Sequence, residues 1–224
     1  MSLFQVDPNN PFNGPHQNIS PKTYGAPLNR ARAATILVHG RGATAESMFP
    51  LADEFAQPDV HYVAPRASNN TWYPYSFLAP TDRNEPGISS GLQVLYDTLS
   101  GLMDEGMDPE RIMLVGFSQG ACLATEFVAR HPRKLGGVAA FSGGLIGPEV
   151  QPDRYSGSVE QTPVFLGCSD IDAHIPKERV DETEEVFQKL NGDVTKRIYR
   201  GMGHTVNEDE IKFVRGMMAH MLNS

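Results

Sequence analysis

Residues 112–130 restrict the fold of this chain more than any other stretch. The apolar run Ile112-Met113-Leu114-Val115 meets Gly116-Phe117-Ser118-Gln119-Gly120, and an amphipathic segment follows at once, stopping at His131-Pro132, where proline forbids another helical turn. A buried strand joined to a helix by so few residues needs a sharp turn with the serine at its apex. Side chains at the two flanking positions would collide with strand and helix, so glycine is the residue that fits there. Such a turn leaves the serine hydroxyl standing above the sheet. The pentapeptide also arises by chance, so its weight depends on whether the rest of the chain agrees.

The rest of the chain alternates in the same way. Short β-rich runs at 34–38, 60–64, 111–115, 137–141, 163–167 and 194–199 are separated by helical stretches, which predicts an α/β fold with a mostly parallel sheet covered on both faces. The stretch 88–105 carries Ile88, Leu92, Leu95, Leu99 and Leu102 at spacings of three and four, one stripe for packing on the sheet. After the serine, Cys122, Leu123, Phe127 and Val128 face inward. A further helix opens at Pro176, repeats Val180, Thr183, Phe187 and Leu190 on its inner side and ends at Asn191-Gly192. The last is capped by Asn207, with Glu208, Asp209 and Glu210 in the first turn, where the helix dipole favours anions. Residues 1–30, with prolines among Asn and Gly, read as an extended arm along the domain edge, and 1–224 read as a single domain.

Composition narrows the class of function. A net charge of −8 without any basic cluster argues against nucleic acid and anionic membrane as partners. The longest apolar runs are too short to span a bilayer, and the first ten residues lack the pattern of a secretory leader, so a cytoplasmic protein without membrane insertion is expected. Cys122 and Cys168 form no framework or metal-ligand spacing and read as small buried groups.

A serine hydroxyl attacks carbonyls at neutral pH only if a histidine takes its proton and a carboxylate orients that histidine. In a parallel sheet of this kind the order along the chain is Ser, then acid, then His, each on a loop at the carboxyl end of a strand. The loop after 163–167 supplies Asp170, Asp172 and His174; the loop after 194–199 supplies Gly203-His204. Among seven histidines, His204 is the best base, with His174 its rival. A metal site built from Asp170, Asp172, His174 and His204 is the competing reading, but it leaves Ser118 unexplained. Two backbone N–H groups must also meet the oxyanion formed on attack. Gln119, next after the serine, offers one; Arg41, in His39-Gly40-Arg41-Gly42 after the first core strand, is the choice for the other, with His39 holding that loop by hydrogen bonding. Trp72, Tyr73 and Phe77, in an unusually aromatic loop, are expected to border an acyl pocket, and Arg41 and Arg66 are candidates for attracting an anionic substrate group.

With His39-Gly40-Arg41-Gly42, Ala64-Pro65, Trp72, Glu85-Pro86-Gly87-Ile88, Gly116 to Gly120, Phe141-Ser142-Gly143, Asp172 followed by Ile175-Pro176, and Gly203-His204, the chain resembles the phospholipase/carboxylesterase family of α/β-hydrolases, which includes bacterial carboxylesterases and acyl-protein thioesterases. The resemblance runs from about Ala33 to the C-terminus. It implies the α/β-hydrolase fold, and it selects Asp172 over Asp170 as the acid, because in that family the acid precedes a Val-Pro-like pair. It implies a serine hydrolase of small-molecule carboxylic esters with an acyl-enzyme intermediate and no cofactor. Acyl-protein thioesterases carry Leu and Asp where this chain has Arg41 and Ala43, so thioester cleavage stands as the alternative, with a noncatalytic binding protein behind it. A homodimer is among the assemblies such a chain allows.

Overall fold

The computed structural model describes residues 4–223. Among these residues seven strands form one sheet in the order β1-β3-β2-β4-β5-β6-β7: β1 (Lys22–Gly25), β2 (Ala33–Val38), β3 (Val60–Ala64), β4 (Ile112–Phe117), β5 (Gly137–Phe141), β6 (Pro163–Ser169) and β7 (Asp193–Tyr199). All neighbouring pairs are parallel except β1 with β3. The helices are α1 (Phe49–Phe55), α2 (Gly87–Asp104), α3 (Gln119–Arg130), α4 (Lys177–Lys189) and α5 (Glu208–Asn223). No helix among the described residues is long and apolar enough to cross a membrane.

Alternation along the strands divides the core in two. Ala34, Ile36 and Val38 of β2, with Leu114, Val138, Ala140 and Leu166, face the apolar sides of α2, α3 and α4. Ala33 and Leu37, with Met113, Val115, Ala139, Phe141 and Phe165, face α1 and α5. Both faces of the central strands are therefore apolar, which is why they read as continuous hydrophobic runs. Every residue of the predicted stripe on α2 is buried, as are Val180, Thr183, Phe187 and Leu190 on and after α4.

The structure adds two elements. Residues 22–25 of the arm form the antiparallel edge strand β1, all four exposed, paired with His61 to Ala64 through the backbone. The short helix α1 bridges β2 and β3, burying Ala52 and Phe55. The arm is also pinned further in. His16 is buried and bonded at both ring nitrogens: Nδ1 accepts from Ser68 N–H at 3.0 Å and Nε2–H donates to Trp72 O at 2.7 Å.

At the start of α5, Asn207 Oδ1 accepts from Glu210 N–H and Glu210 Oε2 accepts from Asn207 N–H, a reciprocal cap. Glu210 is fully buried over Gly167, where an added Cβ would lie 2.1 Å from its Oε1. Burial, opposed by the Asn207 N–H and reinforced by the charge of Asp209, pushes its carboxyl from 4.5 up to about 7. Between those values the folded chain holds a proton that the unfolded chain has lost, so stability declines as pH rises through the window, and the cost is complete above about pH 7. Glu210→Gln, which mimics the protonated form, should raise the melting temperature at pH 8.5 by roughly 3–6 °C and change it little at pH 5, read by differential scanning fluorimetry. Equal shifts at both pH values would show that ionisation of Glu210 is not the cause.

Candidate active site

Ser118 sits between β4 and α3 with φ 55° and ψ −121°, a conformation that costs a non-glycine residue about 1–3 kcal/mol. Packing imposes it. Ser118 N–H donates to Phe141 O at 2.9 Å, and Cys122 N–H closes the first helical turn on Ser118 O at 3.0 Å. An added Cβ on Gly116 would lie 2.5 Å from Gly120 O, and one on Gly120 would lie 2.0 Å from Val38 O, so both flanking positions exclude side chains. The sheet register, with Val38 opposite Gly116, Phe141 opposite Phe117 and Gly167, and Tyr199 opposite Ser169, lets the loops after β2, β4, β6 and β7 meet on one edge.

On that edge His204 Nε2 lies 2.8 Å from Ser118 Oγ, and His204 Nδ1 lies 2.8 Å from Asp172 Oδ2. The Asp172 side chain is fully buried and its Oδ1 accepts from the amides of His174 at 2.8 Å and Ile175 at 3.1 Å. Burial pushes the Asp172 carboxyl up, but the bond from His204 and the two amide bonds outweigh it and hold the carboxyl below its ordinary value. A carboxylate at Oδ2 fixes the proton of a neutral imidazole on Nδ1, which leaves the Nε2 lone pair facing the serine O–H. The arrangement can draw a proton from Ser118 and stabilise the resulting imidazolium.

The neighbouring groups hold these loops in place. Asp170 is exposed and accepts from Gly201 N–H at 2.7 Å, while Ser169 Oγ accepts from Gly203 N–H at 3.1 Å, so the acid-bearing loop grips the His204 loop from both ends. His174 stands edge-on to His204, ring centroids 4.8 Å apart, and the Phe117 ring lies 5.1 Å from that of His204.

The loop after β2 packs against the serine turn, with Gly40 close enough that an added Cβ would stand 3.4 Å from Ser118 Cβ. His39 Nε2 accepts from Ala67 N–H at 3.2 Å and its Nδ1–H donates to Gly40 O at 2.9 Å, so its ring is spent on the backbone. Burial, opposed by the bond to Gly40, lowers its pKa and keeps it neutral. Gly42 N–H donates to Asn70 O at 2.7 Å.

A cavity of about 570 Å³ opens in front of Ser118, walled by Gly40, Arg41, Tyr73, Phe77, Phe117 and Ile175 among others, with Gln119, Cys122, His174 and His204 also on its surface. Tyr73 and Phe77 therefore line this cavity. Trp72 does not, contrary to the expectation from its loop: it is fully buried in the core, and its Nε1–H donates to His39 O at 2.9 Å. Aromatic density identifies the loop but not which ring points into the protein. Phe117, Ile175 and Cys122 are wall residues that no sequence pattern marks, although Phe117 precedes the serine and Cys122 follows it by one helical turn. The Cys122 thiol is pushed up to about 12, chiefly by burial, and is a packing group rather than a nucleophile. The Arg41 guanidinium donates to Pro74 O and Tyr75 O instead of standing free for an anion.

A parallel sheet carrying serine, carboxylate and histidine in this chain order, on loops at the carboxyl ends of its strands, defines an α/β-hydrolase of the esterase type. More narrowly, residues 25–222 match the model of the phospholipase/carboxylesterase family, and the chain belongs to that family. It is 39% identical to a phospholipase/carboxylesterase of Dyadobacter fermentans of known crystal structure, with a TM-score of 0.86 over 89% of this chain and 96% of the other. Acyl-protein thioesterase 1 of Kluyveromyces lactis is 30% identical over 215 residues, 83% of this chain and 94% of the relative. A probable carboxylesterase of Oryza sativa subsp. japonica is 25% identical over 219 residues, 90% of this chain and 82% of the relative. The protein is thus a hydrolase of the carboxylesterase and acyl-thioesterase kind.

Proposed function

We propose that the protein hydrolyses small-molecule carboxylic esters with Ser118 as nucleophile, His204 as general base and acid, and Asp172 as the orienting acid. The observation that carries this reading is the unbroken chain of 2.8 Å contacts from Ser118 Oγ through His204 to Asp172 Oδ2 at the mouth of the cavity. Ser118 Oγ attacks the ester carbonyl while His204 Nε2 takes its proton. The tetrahedral intermediate collapses with transfer of that proton to the leaving alkoxide, giving acyl-Ser118 and free alcohol. Water, deprotonated by the same imidazole, then attacks the acyl group and releases the acid.

The oxyanion in both steps is met by the amides of Arg41 and Gln119, the first on the loop fixed by His39 and the second at the start of α3; one such donor is worth about 3–4 kcal/mol of barrier. The acyl chain lies against Tyr73 and Phe77. Two free buried cysteines are in keeping with a reducing cytoplasm.

Thioester cleavage is the second reading, favoured by the acyl-protein thioesterases among the relatives. The test is a series of p-nitrophenyl esters of increasing acyl length beside the matched acyl thioesters, with release of thiol or phenolate followed directly. Ester turnover equal to or above thioester turnover supports the first reading. Thioester turnover higher by about tenfold, roughly 1.4 kcal/mol in favour of the sulfur leaving group, selects the second.

A further inference from the structure

Residues 73–77 form one wall of the cavity, and among the described residues neither they nor Trp72 before them pair with a strand. Their carbonyls are each taken up individually. Trp72 O accepts from His16 Nε2–H, Tyr73 O from Gln119 Nε2 at 2.8 Å, and Pro74 O from Arg41 Nη1 at 2.6 Å. Tyr75 O accepts from Arg41 Nη2, Ser76 O from Asn84 Nδ2 at 2.8 Å and Phe77 O from Gly147 N–H at 2.8 Å. Two of these donors, Gln119 and Arg41, are the residues whose amides face the developing oxyanion in the mechanism above. Gln119 also accepts from Trp72 N–H at 2.9 Å, so it clamps the wall to the serine turn. Arg41 clamps it to the loop after β2.

We propose that the Arg41 side chain is a positioning residue that locks the aromatic wall to the oxyanion loop and thereby sets which acyl lengths Ser118 attacks productively. The proposal rests on the Ser118 reading. A planar guanidinium presents parallel N–H donors in a fixed fork, and here the fork spans two successive carbonyls while the group lies 5.8 Å from the centroid of the Tyr73 ring. Lysine offers a compact ammonium on a flexible stem and lacks that fixed planar fork. These bonds face solvent, so they add little to global stability. A loop at a cavity mouth with few backbone partners of its own has low local stability, however, and its position depends on such bonds. Without them Pro74 and Tyr75 lose their tie to the loop that carries the Arg41 amide, and the wall can shift between its remaining anchors at Gln119 and Asn84. Displacement of a substrate by about 1 Å costs up to about a hundredfold in rate.

The experiment compares wild type, Arg41→Met, Arg41→Lys and Ser118→Ala on p-nitrophenyl esters from acetate to decanoate, with melting temperatures measured in parallel. For Arg41→Met the expected result is a fall in kcat of roughly tenfold on the ester preferred by wild type, with a smaller loss on the others, so that the kcat/KM profile flattens by at least about threefold. Its melting temperature should stay within about 2 °C of wild type. Arg41→Lys should resemble Arg41→Met. An unchanged length profile with kcat within about twofold overturns the proposal, as does a uniform loss that follows a lowered melting temperature. Full rescue by lysine overturns it too, since charge alone would then suffice. Wild-type turnover abolished in Ser118→Ala establishes the serine in the same assay, so a flat profile counts against Arg41 and not against the triad.

Discussion

Ser118→Ala is expected to lower kcat by about 10⁵–10⁶ on any ester that the wild-type protein turns over, with the fold intact. The loss is large because the three side chains act as one unit. Without the hydroxyl, His204 Nε2 has no proton to take and no acyl-enzyme forms, and under the proposed mechanism what remains is slow attack by water on the bound ester. The backbone tolerates the change. Ser118 already carries a Cβ at φ 55°, so alanine meets the same strain and the same neighbours, and only the 2.8 Å contact to His204 is lost. Circular dichroism should match wild type, and a fluorophosphonate probe should add one label to wild type and none to the variant by intact mass. Residual kcat above about 1% of wild type would assign the nucleophile to another group.

The strands and long helices were legible because burial leaves a periodic mark. Ala34, Ile36 and Val38 alternate with Ala33 and Leu37 between two cores, and the stripe on α2 recurs every three or four residues. What stayed hidden has no such mark. The residues of β1 are all exposed and leave no apolar alternation to read, and α1 is too short, with buried Ala52 and Phe55 alone, to establish a period. At the site, chain order and loop position singled out Ser118 and His204, because a nucleophile turn needs glycines that the sequence displays. The grips of Arg41 on Pro74 and of Gln119 on Tyr73 join residues distant in sequence, and no local pattern announces them. Trp72 shows the opposite limit: its ring belongs to the core, where it lies against the His39 ring and its indole N–H donates to His39 O.

In the sequence only the family resemblance separates Asp172 from Asp170, and the contacts of the two carboxylates turn that into a sharp expectation. Asp172→Asn should lower kcat by about 10⁴, whereas Asp170→Asn should stay within a few-fold of wild type. At position 172 the two amides of His174 and Ile175 require an acceptor, so the carboxamide oxygen takes the place of Oδ1 and its NH₂ group turns toward His204 Nδ1. A donor there forces Nδ1 to accept, which moves the imidazole proton to Nε2, and the nitrogen facing Ser118 becomes a donor instead of a base. Shape and volume barely change; the tautomer does. The Asp170 side chain accepts from the amide of Gly201, and an asparagine oxygen accepts that bond equally well. Steady-state kinetics on one ester, with melting temperatures to show that both variants fold, decides the matter. If Asp170→Asn carries the larger loss, the orienting role belongs to Asp170 and the contact between His204 and Asp172 is structural.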